Sequence, residues 1–88
     1  MITEQDFTRI NNDVNGNPRY VIHFLSCLPE AWKNDSITVR YNNVVSLMKK
    51  IGGKRFHNKQ YGGGIVFQSY SLPETIADIE RIKGDVKV

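Results

Sequence analysis

The sequence has few of the features that anchor a chain in a membrane or stabilise it covalently. Cys27 is its only cysteine, so no internal disulfide can form, and a chain of 88 residues must fold by packing. No apolar run approaches the roughly 18–20 residues that a membrane span needs. The N-terminal MITEQDF lacks the basic and apolar regions of a signal peptide. We therefore expect a soluble, cytoplasmic protein with no membrane partner.

Groupings of catalytic or metal-binding side chains are also missing. Cys27 with His23 or His57 is the only conceivable nucleophile and base, yet Cys27 follows an apolar stretch where cysteine is usually a small buried hydrophobe. One cysteine and two distant histidines give no zinc-ligand spacing. The GGK at 52–54 lacks the GxxxxGK[ST] pattern of a phosphate loop. The sequence predicts no enzyme, no metal and no cofactor.

The middle of the chain lacks acidic residues altogether. The net charge is +3, but every carboxylate lies outside residues 36–73. That stretch carries six cations: Arg40, Lys49, Lys50, Lys54, Arg55 and Lys59. Charge segregated in this way produces a local field that attracts polyanions more strongly than the whole-chain charge suggests.

Hydrophobic and charged residues make up 40% and 24% of the chain, which is ordinary for a globular protein. Because 88 residues can bury one core but not two, we expect a single domain over 1–88. The stretch 19–25 predicts an interior strand, whereas the Thr3-to-Asp6 box predicts a short helix or an irregular arm over 3–11. Residues 26–34 predict a loop or one helical turn that begins at Pro29.

Two helices and a hairpin are predicted for the rest of the chain. Asp35 or Ser36 begins a helix whose apolar stripe ends at Ile51, and Gly52 stops it. Strands over 54–57 and 64–70 flank a glycine-rich turn, and Ser71 begins a last helix that ends at Gly84. The fold class is therefore α+β, in the order (α)-β-α-β-β-α: a three-stranded, mainly antiparallel sheet with two helices packed on one face.

Aromatic residues alternate with the cations between residues 49 and 70. Nucleic-acid binders need this mixture, because cations neutralise phosphates and exposed rings stack on unpaired bases. Consecutive glycine N–H groups beside Lys59 could also hold an anion. The alternative is that Phe56 and Phe67 belong to the core and the glycines form only a hairpin turn. The predicted nucleic-acid or anion site comprises Arg40, Lys49, Lys50, Lys54, Arg55, Lys59, Tyr61, Gly62 and Gly63.

Two stretches resemble small proteins that phages and prophages encode. They are NGNPRYVIHF at 15–24 and IGGKRFHNKQYGGGIVFQSY at 51–70. The resemblance implies a protein of a mobile element that acts in the host cell by binding, frequently against host nucleases or defence complexes. It implies no catalytic residues.

The function predicted from the sequence is non-catalytic binding of nucleic acid or of a nucleoprotein, such as a host-defence or CRISPR-type complex, through a basic 40–61 surface. One alternative is an anti-defence inhibitor that contacts a host protein alone, through a strand edge or an aromatic patch around Trp32. Another is a homo-oligomer that binds a small anionic ligand. A DNA mimic is excluded, because it would need an extended acidic surface.

Overall fold

Four antiparallel strands form one sheet in the computed structural model, which describes residues 1–59 and 62–86. The strands are β1 (Phe7–Ile10), β2 (Arg19–His23), β3 (Lys54–Asn58) and β4 (Gly62–Gln68), and their order across the sheet is β1-β2-β4-β3. Two helices complete the domain, α1 (Ile37–Lys49) and α2 (Leu72–Gly84). The α+β class and the two helices are as predicted. The prediction of a three-stranded sheet is wrong, because the sheet has four strands.

The fourth strand is β1, which lies where a short helix or an irregular arm was expected. The Thr3 N–H donates to the Asp6 carboxylate at 2.9 Å and the Asp6 N–H donates to the Thr3 carbonyl, but this arrangement closes only one 3₁₀ turn. The chain then extends, and Phe7 pairs with Ile22 of β2 and enters the core. Burial of Phe7 against β2 therefore outweighs the local helix-start signal.

Both helices begin where their capping residues predict. The Ser36 hydroxyl accepts a hydrogen bond from the Val39 N–H, and the Ser71 hydroxyl accepts one from the Glu74 N–H. Each bond satisfies one of the free N–H groups of a first helical turn. After α1 the chain reverses at Gly52, whose φ of 90° is a left-handed conformation that favours glycine. This reversal delivers the chain to β3.

The main core cluster lies on one face of the sheet, although Val21 and Val66 are buried on the other. In an antiparallel ladder, opposite residues share a face and successive residues alternate. The helix-side face carries Phe7, Ile22, Ile65 and Phe67, which pack in one cluster with Met48 of α1 and Ile79 of α2. Among the described residues, none of the opposite face belongs to that cluster. We call this opposite face the open face; its members include Thr8, Ile10, Arg19, Val21, His23, Gly62, Gly64, Val66, Gln68, Lys54 and Phe56.

Two 3₁₀ turns link β2 to α1. Phe24–Cys27 follows β2 directly, so the strand ends two residues earlier than predicted, and Glu30–Trp32 forms the helical turn that begins after Pro29. Among the described residues, no helix is both long enough and apolar enough to cross a membrane.

Candidate nucleic-acid interface

The structure distributes the predicted site residues over three parts of the fold. Arg40, Lys49 and Lys50 are on or next to α1, Lys54 and Arg55 are on β3, and Lys59 follows β3 in the turn. Gly62 and Gly63 begin β4. Tyr61 lies outside the described residues. The predicted residues therefore do not share one face, and their position on the sheet decides which of them can act together.

The cations of the first helix lie in the helix layer. Lys50 lines a groove with Arg81 and Asp85, so its charge has an acidic neighbour. Arg40 is half-buried, and its Nε atom has no hydrogen-bond partner among the described residues. Lys49 is exposed in the last turn, where a cation interacts favourably with the helix dipole. None of the three belongs to the open face.

Lys54 and Arg55 are neighbours in sequence but point to opposite faces of the sheet. Lys54 is opposite Val66 and Arg55 is opposite Ile65, which places Lys54 on the open face and Arg55 on the helix side. Arg55 lies over the Tyr41 ring at 4.8 Å and donates from Nη2 to Asn42 Oδ1 at 3.0 Å. The helix therefore holds the guanidinium of Arg55, whereas Lys54 is free to meet a ligand on the open face.

A second cation joins Lys54 on the open face. Arg19 of β2 is opposite Gln68 of β4, and Val66 of the same strand is opposite Lys54. All four line one cavity of about 200 Å³, together with Asp13 and Gly52. The Nε of Arg19 donates to the Asn11 carbonyl at 2.8 Å, which fixes the stem of the side chain. Two cations thus flank an amide and a buried valine on one surface.

Tyr70 extends this surface beyond the end of β4. The ladder continues one step past Gln68, since the Ser69 N–H donates to the Pro18 carbonyl. The Ser69 hydroxyl meets Thr75 of α2, on the helix side. The next residue, Tyr70, donates from its hydroxyl to Asn17 Oδ1 and is 75% exposed. An exposed aromatic ring therefore lies at the rim of the open face. Its bonding partner, Asn17, precedes Arg19 by two residues.

Asp13 is the one carboxylate that lines the cavity. Its oxygens accept hydrogen bonds from the N–H groups of Asn15 and Asn17 at 2.9 Å and from the Asn17 side-chain amide at 3.1 Å. The backbone N–H of Asn17 and then its amide lower the pKa of Asp13, and the charge of Arg19 acts in the same direction. The Asp13 carboxylate is thus hydrogen-bonded within the turn 13–17.

The glycines lie apart from these cations. Gly62 has a φ of 64°, as a hairpin turn requires. A Cβ added at Gly63 would lie 3.0 Å from Cδ1 of Phe24 and 3.4 Å from Cδ1 of Tyr41, so this residue faces the helix side. The two glycines therefore do not line the cavity that holds Lys54 and Arg19.

The side chains considered for catalysis do not form a reactive pair with Cys27. Cys27 is 0% exposed, and burial raises the pKa of its thiol to about 12. A protonated, buried thiol is a poor nucleophile. His23 accepts a hydrogen bond at Nδ1 from the Leu25 N–H and caps the 3₁₀ turn after β2. The described residues contain no cluster of three or more His, Cys, Asp or Glu side chains that could hold a metal ion.

Sequence reasoning missed Arg19 and Gln68. Arg19 lies outside the carboxylate-free stretch 36–73, and no local pattern marks Gln68 as a binding residue. The two-residue spacing of Arg19, Val21 and His23 is the signal that could have placed a cation on one face of β2. Its proximity to Lys54 depends on β4 lying between β2 and β3, which local patterns do not specify.

Fold and site together define a small α+β protein with one sheet face covered by helices and one that carries cations. Residues 2–85 match the model of the family described as Staphylococcus phage terminal repeat-encoded protein TreK, and the chain belongs to this family. The phage origin that the sequence resemblance implied is thereby confirmed. No curated protein matches the chain, and no solved structure does.

Proposed function

We propose that this phage protein binds single-stranded nucleic acid, free or within a nucleoprotein, on the open face of its sheet. The observation that carries the proposal is that Arg19, Lys54, Gln68 and Tyr70 lie on the face that is not part of the helix-packed core. Predicted cations of the helix layer are not required. The proposed binding surface thus has fewer cations than the basic 40–61 surface expected from the sequence, and it includes residues from both halves of the chain.

The two cations are spaced to contact different phosphates of one strand. Arg19 and Lys54 lie on β2 and β3, which β4 separates, so their backbones are roughly 10 Å apart. Each phosphate contact on a single strand releases counterions and contributes about −0.7 to the slope of log K against log salt concentration. Two contacts therefore predict a slope of about −1.4.

The groups around the cations suit unpaired bases. The Tyr70 ring is exposed for stacking, which contributes about 1–3 kcal/mol per base in proteins of this kind. The exposed amide of Gln68 can both donate to and accept from base edges. In a duplex the base faces are stacked and the Watson–Crick edges are paired, so neither is available to Tyr70 or Gln68. The arrangement therefore favours single strands.

Fluorescence anisotropy with labelled single-stranded DNA, single-stranded RNA and duplex DNA at two salt concentrations tests this function. Lys54→Gln should weaken binding to single strands roughly threefold to tenfold and reduce the salt slope by about 0.7. The matched control Lys49→Gln removes an exposed cation from α1 and should leave affinity within about twofold. Equal losses in both variants, or affinity that is independent of salt, would contradict an open-face site.

A protein target is the second candidate, and the sheet edges favour it. In the described sheet, β1 and β3 are edge strands, which can pair with an extended strand of a partner. Co-purification of partners from a nuclease-treated host-cell lysate distinguishes the two functions. A host protein that co-purifies with the Lys54→Gln variant as well as with the unaltered chain would indicate protein contact independent of nucleic acid.

A further inference from the structure

A second concave site lies on the helix side of the sheet, away from the open face. This cavity of about 320 Å³ is found where the N-terminal half of α1 passes over the hairpin. Its lining residues are Phe24, Ile37, Thr38, Tyr41, Asn42, Arg55, His57 and Gly63. Pockets of about this volume are of the size that binds small ligands or one anchoring side chain. We call it the α1 pocket.

Gly63 lets the aromatic walls of the α1 pocket pack directly on the strand. Gly63 is opposite His57 in the ladder, and a Cβ there would lie 3.0 Å from Phe24 and 3.4 Å from Tyr41. The Phe24 and Tyr41 rings therefore fill the space above Gly63, and a larger residue would displace these two walls of the pocket.

The walls of the α1 pocket are aromatic and fixed in place. The Tyr41 hydroxyl lies 3.2 Å from the Phe56 carbonyl and 3.3 Å from the Gly64 carbonyl, so it donates to the two hairpin strands. Its ring centroid is 5.0 Å from that of Phe24. Ile37 is 62% exposed at the rim. Because these side chains are already fixed, little conformational entropy is lost when a ligand binds against them.

The charge of the α1 pocket has one sign. Arg55 is held over the Tyr41 ring, and the bond from its Nη2 to Asn42 leaves further N–H groups of the guanidinium to donate elsewhere. The exposed His57 supplies a second polar group. None of the lining residues is acidic. The complement of such a site is an apolar body with one carboxylate, because a guanidinium binds a carboxylate in a bidentate manner.

We propose that the α1 pocket binds an apolar acid: an aryl or branched alkyl group packs against Phe24, Ile37 and Tyr41, with its carboxylate on Arg55. The C-terminal residue of a partner polypeptide and a small organic acid share this chemistry. The proposal does not rest on nucleic-acid binding, since Arg55 and Lys54 lie on opposite faces of the sheet. Either function can therefore fail alone.

Titration of the isotope-labelled protein with N-acetyl-phenylalanine, followed by proton–nitrogen NMR correlation spectra, tests the pocket. We expect shifts confined to the residues around Tyr41, Arg55 and Gly63, with a dissociation constant on the order of 1 mM for so small a ligand. The amide of the same compound should bind roughly tenfold more weakly, because it lacks the charge that pairs with Arg55. Equal shifts from the acid and the amide, or none at about 10 mM, would overturn the proposal.

Variants of exposed residues assign the contacts without disturbing the core. Arg55→Gln should weaken binding of the acid roughly tenfold, and Ile37→Ser should weaken it several-fold. Val39→Ser is the matched control: Val39 is exposed on the same helix turn but does not line the pocket, so affinity should not change. Full affinity in Arg55→Gln would contradict the role of the guanidinium.

Short peptides that end in phenylalanine distinguish the two sources. If the free-carboxyl peptide binds at least as tightly as the acid, and if amidation of the peptide weakens binding, the ligand is the C-terminal residue of a partner chain. Binding of the acid alone identifies a small molecule. Both results support binding of an apolar acid in the α1 pocket. Equal affinity for the amidated and free-carboxyl peptides would overturn the proposal.

Discussion

The hydroxyl of Tyr70 donates a hydrogen bond to Asn17 Oδ1, across 53 positions of sequence. This bond joins the turn before β2 to the segment that leaves β4. It also holds the aromatic ring at the rim of the open face, close to Arg19. Removal of the hydroxyl and removal of the ring should therefore have separate effects.

Tyr70→Phe keeps the ring and loses the bond to Asn17. Because the residue is largely exposed, we expect the free energy of unfolding to fall by about 0.5–1 kcal/mol, measured by urea denaturation. Affinity for single-stranded DNA should stay within about twofold. Tyr70→Ala removes the stacking group and should weaken binding roughly tenfold. Equal affinity in the two variants would show that the ring does not contact bases.

Phe7→Ala tests the added strand β1. Phe7 is buried in the core cluster opposite Ile22, so we expect a loss of about 3 kcal/mol in the free energy of unfolding. Thr8→Ala, on the exposed side of the same strand, should change stability by less than about 1 kcal/mol. Similar effects of the two changes in urea denaturation would indicate that residues 7–10 do not form a strand of this sheet.

Gly53→Ala should destabilise the junction between α1 and β3. A Cβ at this position would lie 2.8 Å from Cγ2 of Ile65 and 2.9 Å from Cβ of Met48, so packed groups would have to move. Such overpacking costs about 1–3 kcal/mol. Gly84→Ala is the matched control, since a Cβ there meets nothing within 4 Å and a helical alanine is favoured. In thermal denaturation, Gly53→Ala should have a lower melting temperature than the unaltered chain, whereas Gly84→Ala should not.

Asp13 should make the protein sensitive to acid. Its pKa in the folded state lies below the ordinary value of 3.8, because the Asn17 N–H and amide stabilise the charged form. The stabilisation is therefore complete above the unfolded pKa and is lost as pH falls through the folded pKa, that is, below about 4. Melting temperatures measured between pH 6 and about pH 2 should fall more gently in Asp13→Asn than in the unaltered chain. Parallel curves would contradict this account.

The thiol of Cys27 should be inert in the folded protein. Burial raises its pKa to about 12, so at pH 8 it is protonated as well as inaccessible. A thiol reagent at that pH should label the native chain at least a hundredfold more slowly than the chain unfolded in urea. Rapid labelling of the native chain would show that the 3₁₀ turn Phe24–Cys27 opens readily.

Sequence patterns predicted the elements whose signals are local. The apolar stripe that ends at Ile51 and the cap Ser36 identify α1, and the cap Ser71 identifies the start of α2, because these signals lie within three or four positions of one another. The strand β1 was missed because its four residues, FTRI, do not alternate between apolar and polar, and its stabilising contact joins Phe7 to Ile22, beyond the next loop. Local propensity cannot register such a contact.

The candidate interface was only partly predictable for the same reason. Lys54 was identified from the run of cations, but adjacent residues on a strand face opposite ways, so the run at 54–55 is divided between two surfaces. Arg19 joins Lys54 because β4 is inserted between β2 and β3. That placement depends on the topology of the whole sheet.

The position of β4 also has a consequence for synthesis of the protein. The two inner strands come from opposite halves of the chain, with α1 and β3 between them, so β2 has only β1 to pair with until residues 62–68 have left the ribosome. A nascent chain that stops before Gly62 would leave one side of β2, including Val21 and Ile22, without a partner strand. We infer that cooperative folding starts only after residues 62–68 have been synthesised, and that chains truncated before β4 are prone to aggregate.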